Sequence, residues 1–333
     1  MRTQVFCISG CLVALLITGL AFYLFQGREP ARQIHLRVYE SGHEMANLPH
    51  YVAASLGYFS DENLDVSLFS VKDGLASAKD LQKAGIVILP PEKAWENKMQ
   101  VFAQMTHFEP GFLVSREPMP SFTWSGLKGK VVIGSDPDST LGTTFEAILR
   151  KEGLRPQTNV TIVQNLPAKL RLGVFLAGSG DFILLRDPQA QQLQLAEQGH
   201  VVASMAPAGN VPAQVCAASP GLISRNSEAL IRYTRAIARA QSWIAAQNPR
   251  DIAVVAAPFY PYFNLDTLTA VIERHKENDL WARTPAIDPE QFATLQEIMF
   301  KAGELAKPIP FAHVVRPEIA SEALKLLKST KIR

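Results

Sequence analysis

The feature that most constrains this chain is an alternation of strand and helix patterns that runs once, stops, and starts again. Ile34-His35-Leu36-Arg37-Val38-Tyr39 alternates apolar and polar residues, the period of a strand. A helical stretch over 48–56 follows, closed by Gly57. Leu64-Asp65-Val66-Ser67-Leu68-Phe69 alternates again, 75–84 reads as a helix, and Ile86-Val87-Ile88-Leu89 is a short buried strand stopped by Pro90-Pro91. The second array has strands at 131–134, 160–163, 182–185 and 201–204. Helices at 140–151, 170–177 and 189–198 lie between them. Strands spaced by helices in this way imply parallel sheets covered by helices, an α/β architecture. Past Val215 the chain turns mostly helical, over 227–246, 249–256, 266–276, 289–305 and 317–327. Pro249, Pro289 and Pro317 stand at first helical turns, where the missing N–H does no harm.

Length and charge narrow the rest. The chain has 333 residues, which suits two lobes of ordinary size. Lys plus Arg number 33 against 31 Asp plus Glu, a net charge of +2. That is too balanced for a nucleic-acid binder. The basic residues Lys325, Lys328, Lys331 and Arg333 suit a solvated helix end.

From Val5 to Phe25 no residue is charged, long enough for a membrane-crossing helix, with Arg2 before it and Arg28 after it. A short positive N-terminus stays inside, so the long remainder is expected on the outer face. Two readings stand for residues 1–27: a retained signal anchor, or a signal peptide cleaved after Ala21 behind Gly19-Leu20-Ala21. The anchor is preferred, because apolar residues continue past the cleavage point. No Cys follows the apolar run, as a lipoprotein would need. Of the three cysteines, Cys7 and Cys11 lie in this segment and Cys216 stands alone in an apolar stretch. They offer neither a disulfide framework nor a zinc spacing.

Several motifs together resemble a known family. Asn47-Leu48-Pro49-His50-Tyr51, then Leu56-Gly57-Tyr58-Phe59 and Glu62-Asn63-Leu64-Asp65-Val66, resemble the opening of the periplasmic solute-binding proteins for nitrate, sulfonates, taurine and thiamin pyrimidine precursors. Leu127-Lys128-Gly129-Lys130-Val131, Ser139-Thr140-Leu141-Gly142 and Leu176-Ala177-Gly178-Ser179-Gly180-Asp181 with Asp187-Pro188 match later family motifs in order and spacing. The chain departs from the pattern at Gly85, where an Asp is usual, at Arg186 in place of an aromatic, and at Asp187 in place of Glu.

The resemblance implies a type II periplasmic-binding-protein fold of two βαβ lobes. Lobe one would use 33–115 and 214–333, and lobe two 121–212. Crossovers near 106–115 and 214–224 would form the hinge. It implies a monomeric, non-enzymatic binding component of an ABC importer that closes its lobes on a small organic or oxyanion solute. The cargo would be a sulfonate, nitrate, taurine or a pyrimidine-like ring, the partner an ABC permease, with no cofactor and no metal. A membrane-anchored ligand-sensing or partner-docking protein of the same fold is the alternative. A thiamin-pyrimidine synthase-like enzyme fits less well, since the Cys-rich motif of such enzymes is missing.

Ligands of open α/β sheets sit beyond the carboxyl ends of the strands, facing helix N-termini. Read that way, the candidate ligand-binding residues are Ser41, His43 and Asn47 after the first strand, and His107 and Phe108 in the first crossover. Ser139, Thr140 and Thr143 open a lobe-two helix, and Asp187 follows the third lobe-two strand. The 139–143 turn is the foremost candidate, because free N–H groups and hydroxyls at a helix start favour an anionic group. The same residue types are ordinary caps. Asn47 has a capping reading as well, as does Asp187. His50 is a further candidate for stacking on a ligand. Tyr58 and Phe59 are assigned to packing.

Overall fold

In the computed structural model, which describes residues 33–70 and 85–330, ten strands form two separate sheets. The first sheet contains β1 (Ile34–Glu40), β2 (Leu64–Ser70), β3 (Ile86–Leu89), β4 (Gln100–Gln104) and β10 (Val215–Ala218), in the order β2-β1-β3-β10-β4. The second contains β5 (Gly111–Ser115), β6 (Val131–Ile133), β7 (Thr161–Val163), β8 (Phe182–Arg186) and β9 (His200–Ser204), in the order β7-β6-β8-β5-β9. Each sheet is the base of one lobe. From His35 onward the two lobes belong to one compact unit.

The sheets are mixed rather than purely parallel. β1 runs parallel to β3, and β6 runs parallel to β7 and β8. The strands by which the chain enters a lobe from the other one run against their neighbours. β5 is antiparallel to β8 and β9, and β10 is antiparallel to β3 and β4. The expected crossovers over 106–115 and 214–224 are therefore shorter than the sequence suggests. Their distal parts are the strands Gly111–Ser115 and Val215–Ala218, and the latter leads into the helix Pro220–Ala246. Both strands are buried along their whole length and show no alternation, so they lack the period that marks a half-buried strand. The connecting segments are 105–110 and 205–214. They lie side by side, with Met105 N donating to Gln214 O at 2.8 Å and Val211 N to His107 O at 2.8 Å.

The second sheet shows how successive side chains of a strand serve opposite faces. Leu113, Val132, Phe182 and Leu184 pack with Phe145, Ile148 and Leu149 of the helix Thr140–Lys151. Their neighbours Phe112, Ile133, Ile183 and Leu185 pack the other way, against Phe175, Ala190 and Leu193. The first sheet buries Val87, Leu89, Val101, Val215 and Ala217 against Ala94, Phe292 and Val314.

Helix starts follow the sequence signals closely. Asn248, Asn264 and Asp288 each accept a backbone N–H of the first helical turn, and Pro249 and Pro289 follow two of them. The long helix Pro220–Ala246 begins seven residues before the expected 227 start. Asn226 leaves helical geometry (φ −132°, ψ 32°) and hides the first turns from a periodic reading. The expected N-terminal helix and the helix over 75–84 lie outside the described residues. Among the described residues no helix is long and apolar enough to cross a membrane.

Candidate functional site

β1 ends on a buried carboxylate, and much of the site's first wall is organised around it. Glu40 is fully buried. Its carboxylate accepts from Asn47 Nδ2 at 2.7 Å, the Tyr51 hydroxyl at 2.5 Å and Ser70 Oγ at 3.2 Å, while His43 Nδ1 lies 2.5 Å away. A buried charge is tolerated only when hydrogen-bonded in this way. Asn47 is consumed by the same network, because its Oδ1 accepts from Gln214 Nε2 at 2.9 Å. Asn47 makes no cap bond to the helix Leu48–Ser55. It joins the end of β1 to the second crossover.

The wider cleft is bounded by both lobes. A cavity of about 620 Å³ is lined by Gly42, His43, Glu44 and Ser70 beside β1 and β2. Arg186, Asp187, Pro188, Gln189 and Gln192 line it at the end of β8, and 258–263 line it between two C-terminal helices. That last segment, Pro258-Phe259-Tyr260-Pro261-Tyr262-Phe263, supplies most of the aromatic surface. Phe259 stacks on Tyr51 at 4.5 Å between ring centroids, and the Tyr260 hydroxyl donates to Glu44 O at 3.1 Å.

The charges at the β8 side are paired internally. Arg186 makes a two-point ion pair with buried Glu109, Nε at 2.6 Å and Nη2 at 3.0 Å. Burial still keeps the Glu109 carboxyl above its usual range, against the pull of Arg186. Asp187 is held by Arg274 at 2.7 and 2.9 Å, with His275 Nε2 2.8 Å away, and also accepts from Gln191 N at 3.1 Å. Burial alone would raise the Asp187 carboxyl. His275 and Arg274 outweigh it and hold the group below its ordinary value. Asp187 thus caps a helix and also pairs with a cation, but that cation is the protein's own.

The foremost sequence candidate, the start of the helix Thr140–Lys151, is likewise engaged. Ser139 caps the helix, its Oγ accepting from Gly142 N at 3.0 Å. The Thr143 hydroxyl donates back to Ser139 O and Thr140 O. Thr140 donates both its N–H and its hydroxyl to Glu92, at 3.0 and 2.6 Å. Glu92 comes from the helix after β3, in the other lobe, and is buried. Burial pushes its carboxyl up, against the opposing effect of the Thr140 bonds. Beside it Lys93 pairs with Asp138 at 2.9 Å. The donors expected to face an anionic ligand are therefore met by a carboxylate of lobe one.

The remaining candidates scatter. Ser41 is exposed next to the cleft and His43 lines it. His107 turns its Nε2 onto Asp279 O, and Phe108 is buried beside it, so both serve the crossover. His50 is a core histidine. Its Nδ1 lies 2.9 Å from the Tyr233 hydroxyl, and burial, helped by His43, lowers its pKa to about 3. Phe59 packs flat on Tyr233 at 5.2 Å, in keeping with its assignment to packing. The sequence reading passed over Glu40, Glu44, Glu109 and the 258–263 segment. Six successive aromatic and proline residues between two helices were the signal for that segment. Among the described residues no group of His, Cys, Asp and Glu has the arrangement of a metal site.

Comparison with known proteins agrees with this architecture. The chain is 29% identical over 313 residues to a Bacillus subtilis (strain 168) protein named "Putative binding protein YtlA", covering 91% of this chain and 94% of that one. Its fold is similar to that of the alkanesulfonate-binding protein SsuA from Xanthomonas axonopodis pv. citri bound to MOPS. That match has a TM-score of 0.65 at 14% identity, over 86% of this chain and 99% of the other. It is also similar to the desulfurization enzyme DSZB, with a TM-score of 0.64 at 14% identity, over 89% of this chain and 100% of that one. The model of the family described as NMT1/THI5 like matches residues 45–252, which takes in β2 to β10 and the cleft's lining at Ser70 and 186–192, and the chain belongs to that family.

Proposed function

We propose that this protein is the extracytoplasmic solute-binding component of an ABC importer, capturing one small molecule between its lobes by hinge closure. The observation that carries this reading is the cleft of about 620 Å³ lined from both lobes. Its volume suits a small ligand, and closure by rotation about two adjacent crossovers is the common device of such receptors. The family membership and the binding-protein names of its relatives support the same reading.

The partner would be an ABC permease, reached from the outer face of the membrane. Residues 1–27 would act as leader or anchor, and the receptor would work as a monomer. Lobe one would be drawn from 33–115 and 214–333, and lobe two from 121–212. Ser41 and His43 are the candidate residues best placed for ligand contact. The reading is non-enzymatic. Cys216, the free cysteine among the described residues, is buried and its thiol is pushed up to about 12, which leaves it without thiolate character.

A thermal-shift screen of the purified full chain against a broad library of sulfonates, nitrate, taurine, pyrimidines and other small metabolites tests this. A saturable rise in Tm with one chemical class is expected. A well-folded, ligand-free preparation that responds to nothing would favour a partner-docking protein on the same fold.

A further inference from the structure

Four ionisable side chains line the cleft: His43, Glu44, Arg186 and Asp187. Three are committed within the protein. His43 lies on Glu40, Arg186 is held at two points by Glu109, and Asp187 is held by Arg274. Glu44 differs. Its backbone N–H donates to Gly42 O at 2.9 Å and its carbonyl accepts from Asn47 N and Tyr260 Oη. Its carboxylate makes no hydrogen bond or ion pair among the described residues.

The two strongest sites for an anion, a helix N-terminus and a guanidinium, are already engaged. The N-terminus of the helix Thr140–Lys151 is met by Glu92. Arg186 is held at two points by Glu109, and the charge of Glu44 acts on the same guanidinium, so one cation serves two carboxylates and the group keeps a net negative charge. Besides neutral side chains such as Gln189 and Gln192, the cavity is faced by the partly buried Glu44 carboxylate and an aromatic wall. Phe259 is fixed from behind by Tyr51, Tyr260 is tethered to the Glu44 carbonyl, and Tyr262 is 91% exposed at the rim. Burial, then the charges of Glu40, Glu44 and Asp187, push the Tyr260 hydroxyl well above its ordinary value, a mark of the negative field there.

We propose that the cleft takes an organic cation, a protonated amine or quaternary ammonium on a small body, with Glu44 as its counter-charge and Phe259, Tyr260 and Tyr262 as its aromatic surfaces. Aromatic faces attract cations through their quadrupoles, and the attraction grows where water is displaced. A carboxylate that makes no hydrogen bond or close ion pair within the protein adds a charge-assisted acceptor. This inference rests on the solute-capture reading and names the charge of the solute.

The test is equilibrium titration of the purified full chain with three ring compounds of similar size: benzyltrimethylammonium, benzyl alcohol and benzenesulfonate. Saturable binding of the cation alone is expected, weakening as salt rises. Glu44→Gln, on a half-exposed side chain, should weaken it at least tenfold, and Tyr262→Ala several-fold without loss of folding. Binding of the sulfonate or the alcohol in place of the cation would overturn the inference and leave the solute-capture reading intact. So would cation binding indifferent to Glu44→Gln. Failure of all three, together with no response in the wider library, would remove both.

Discussion

At Gly85 a Cβ would stand 2.1 Å from the Arg37 carbonyl oxygen, inside any van der Waals contact. The residue is glycine because β1 passes too close for a side chain. That gives the departure from the family's usual Asp a steric reason that no sequence pattern displays. Gly85→Ala must move backbone and should cost more than about 2 kcal/mol, measured by urea unfolding. His50 makes a second residue-scale prediction. Its folded pKa is lowered to about 3 from 6.5, so the unfolded chain binds one more proton between those values. The stability it contributes is complete above pH 6.5 and is lost as pH falls toward 3. Unfolding free energy should drop by up to about 1.4 kcal/mol per pH unit across that window from this group. His50→Asn should flatten the slope. The sequence placed His50 near a helix start but carried no sign of its depth, since burial is decided by the helix Pro220–Ala246 that brings Tyr233 across.

Elements were easiest to read where local signals and packing agree. The helix Thr140–Lys151 falls on its expected bounds because Ser139 caps it, basic residues end it, and one face is apolar. Ser139→Ala should lower stability by about 1 kcal/mol, the usual worth of such a cap, and Phe145→Ala by about 3–5 kcal/mol through the cavity it leaves. Both are read from denaturant midpoints. Elements defined by distant partners were harder. β5 and β10 are short and uniformly buried, and what makes them strands is pairing with β8 and β3 far along the chain. The partner of the Thr140 N-terminus was equally hidden. Helix starts of this type face anions, and the sequence indicated that much. Glu92, 48 positions earlier, meets it only after the two lobes come together.

Across the whole molecule, the lobes are joined at several places besides the crossovers. Glu92 reaches Thr140, Lys93 reaches Asp138, Arg274 reaches Asp187, and Leu295, Ile298 and Met299 pack near Ala147. Removing one partner of a buried pair leaves a charge without compensation. Arg274→Gln should therefore shift the lobes toward an open arrangement, seen as a larger radius of gyration in solution scattering. Asp187 ties this link to pH in a defined direction. Its folded carboxyl lies below 3.8, so its contribution is complete above that value and is lost as pH falls below it. Glu92 runs the other way, because its buried carboxyl is raised above 4.5. Through that group, the contribution to the joined lobes is complete below about pH 4.5 and fades as pH rises above that value.

The most direct test of solute capture between the lobes is hydrogen exchange of the full chain, with and without a saturating ligand taken from the thermal-shift screen. Added protection is expected together at residues 41–47 and 258–263 of lobe one and at 186–192 of lobe two. Protection confined to one lobe, or lying elsewhere on the surface, would contradict it.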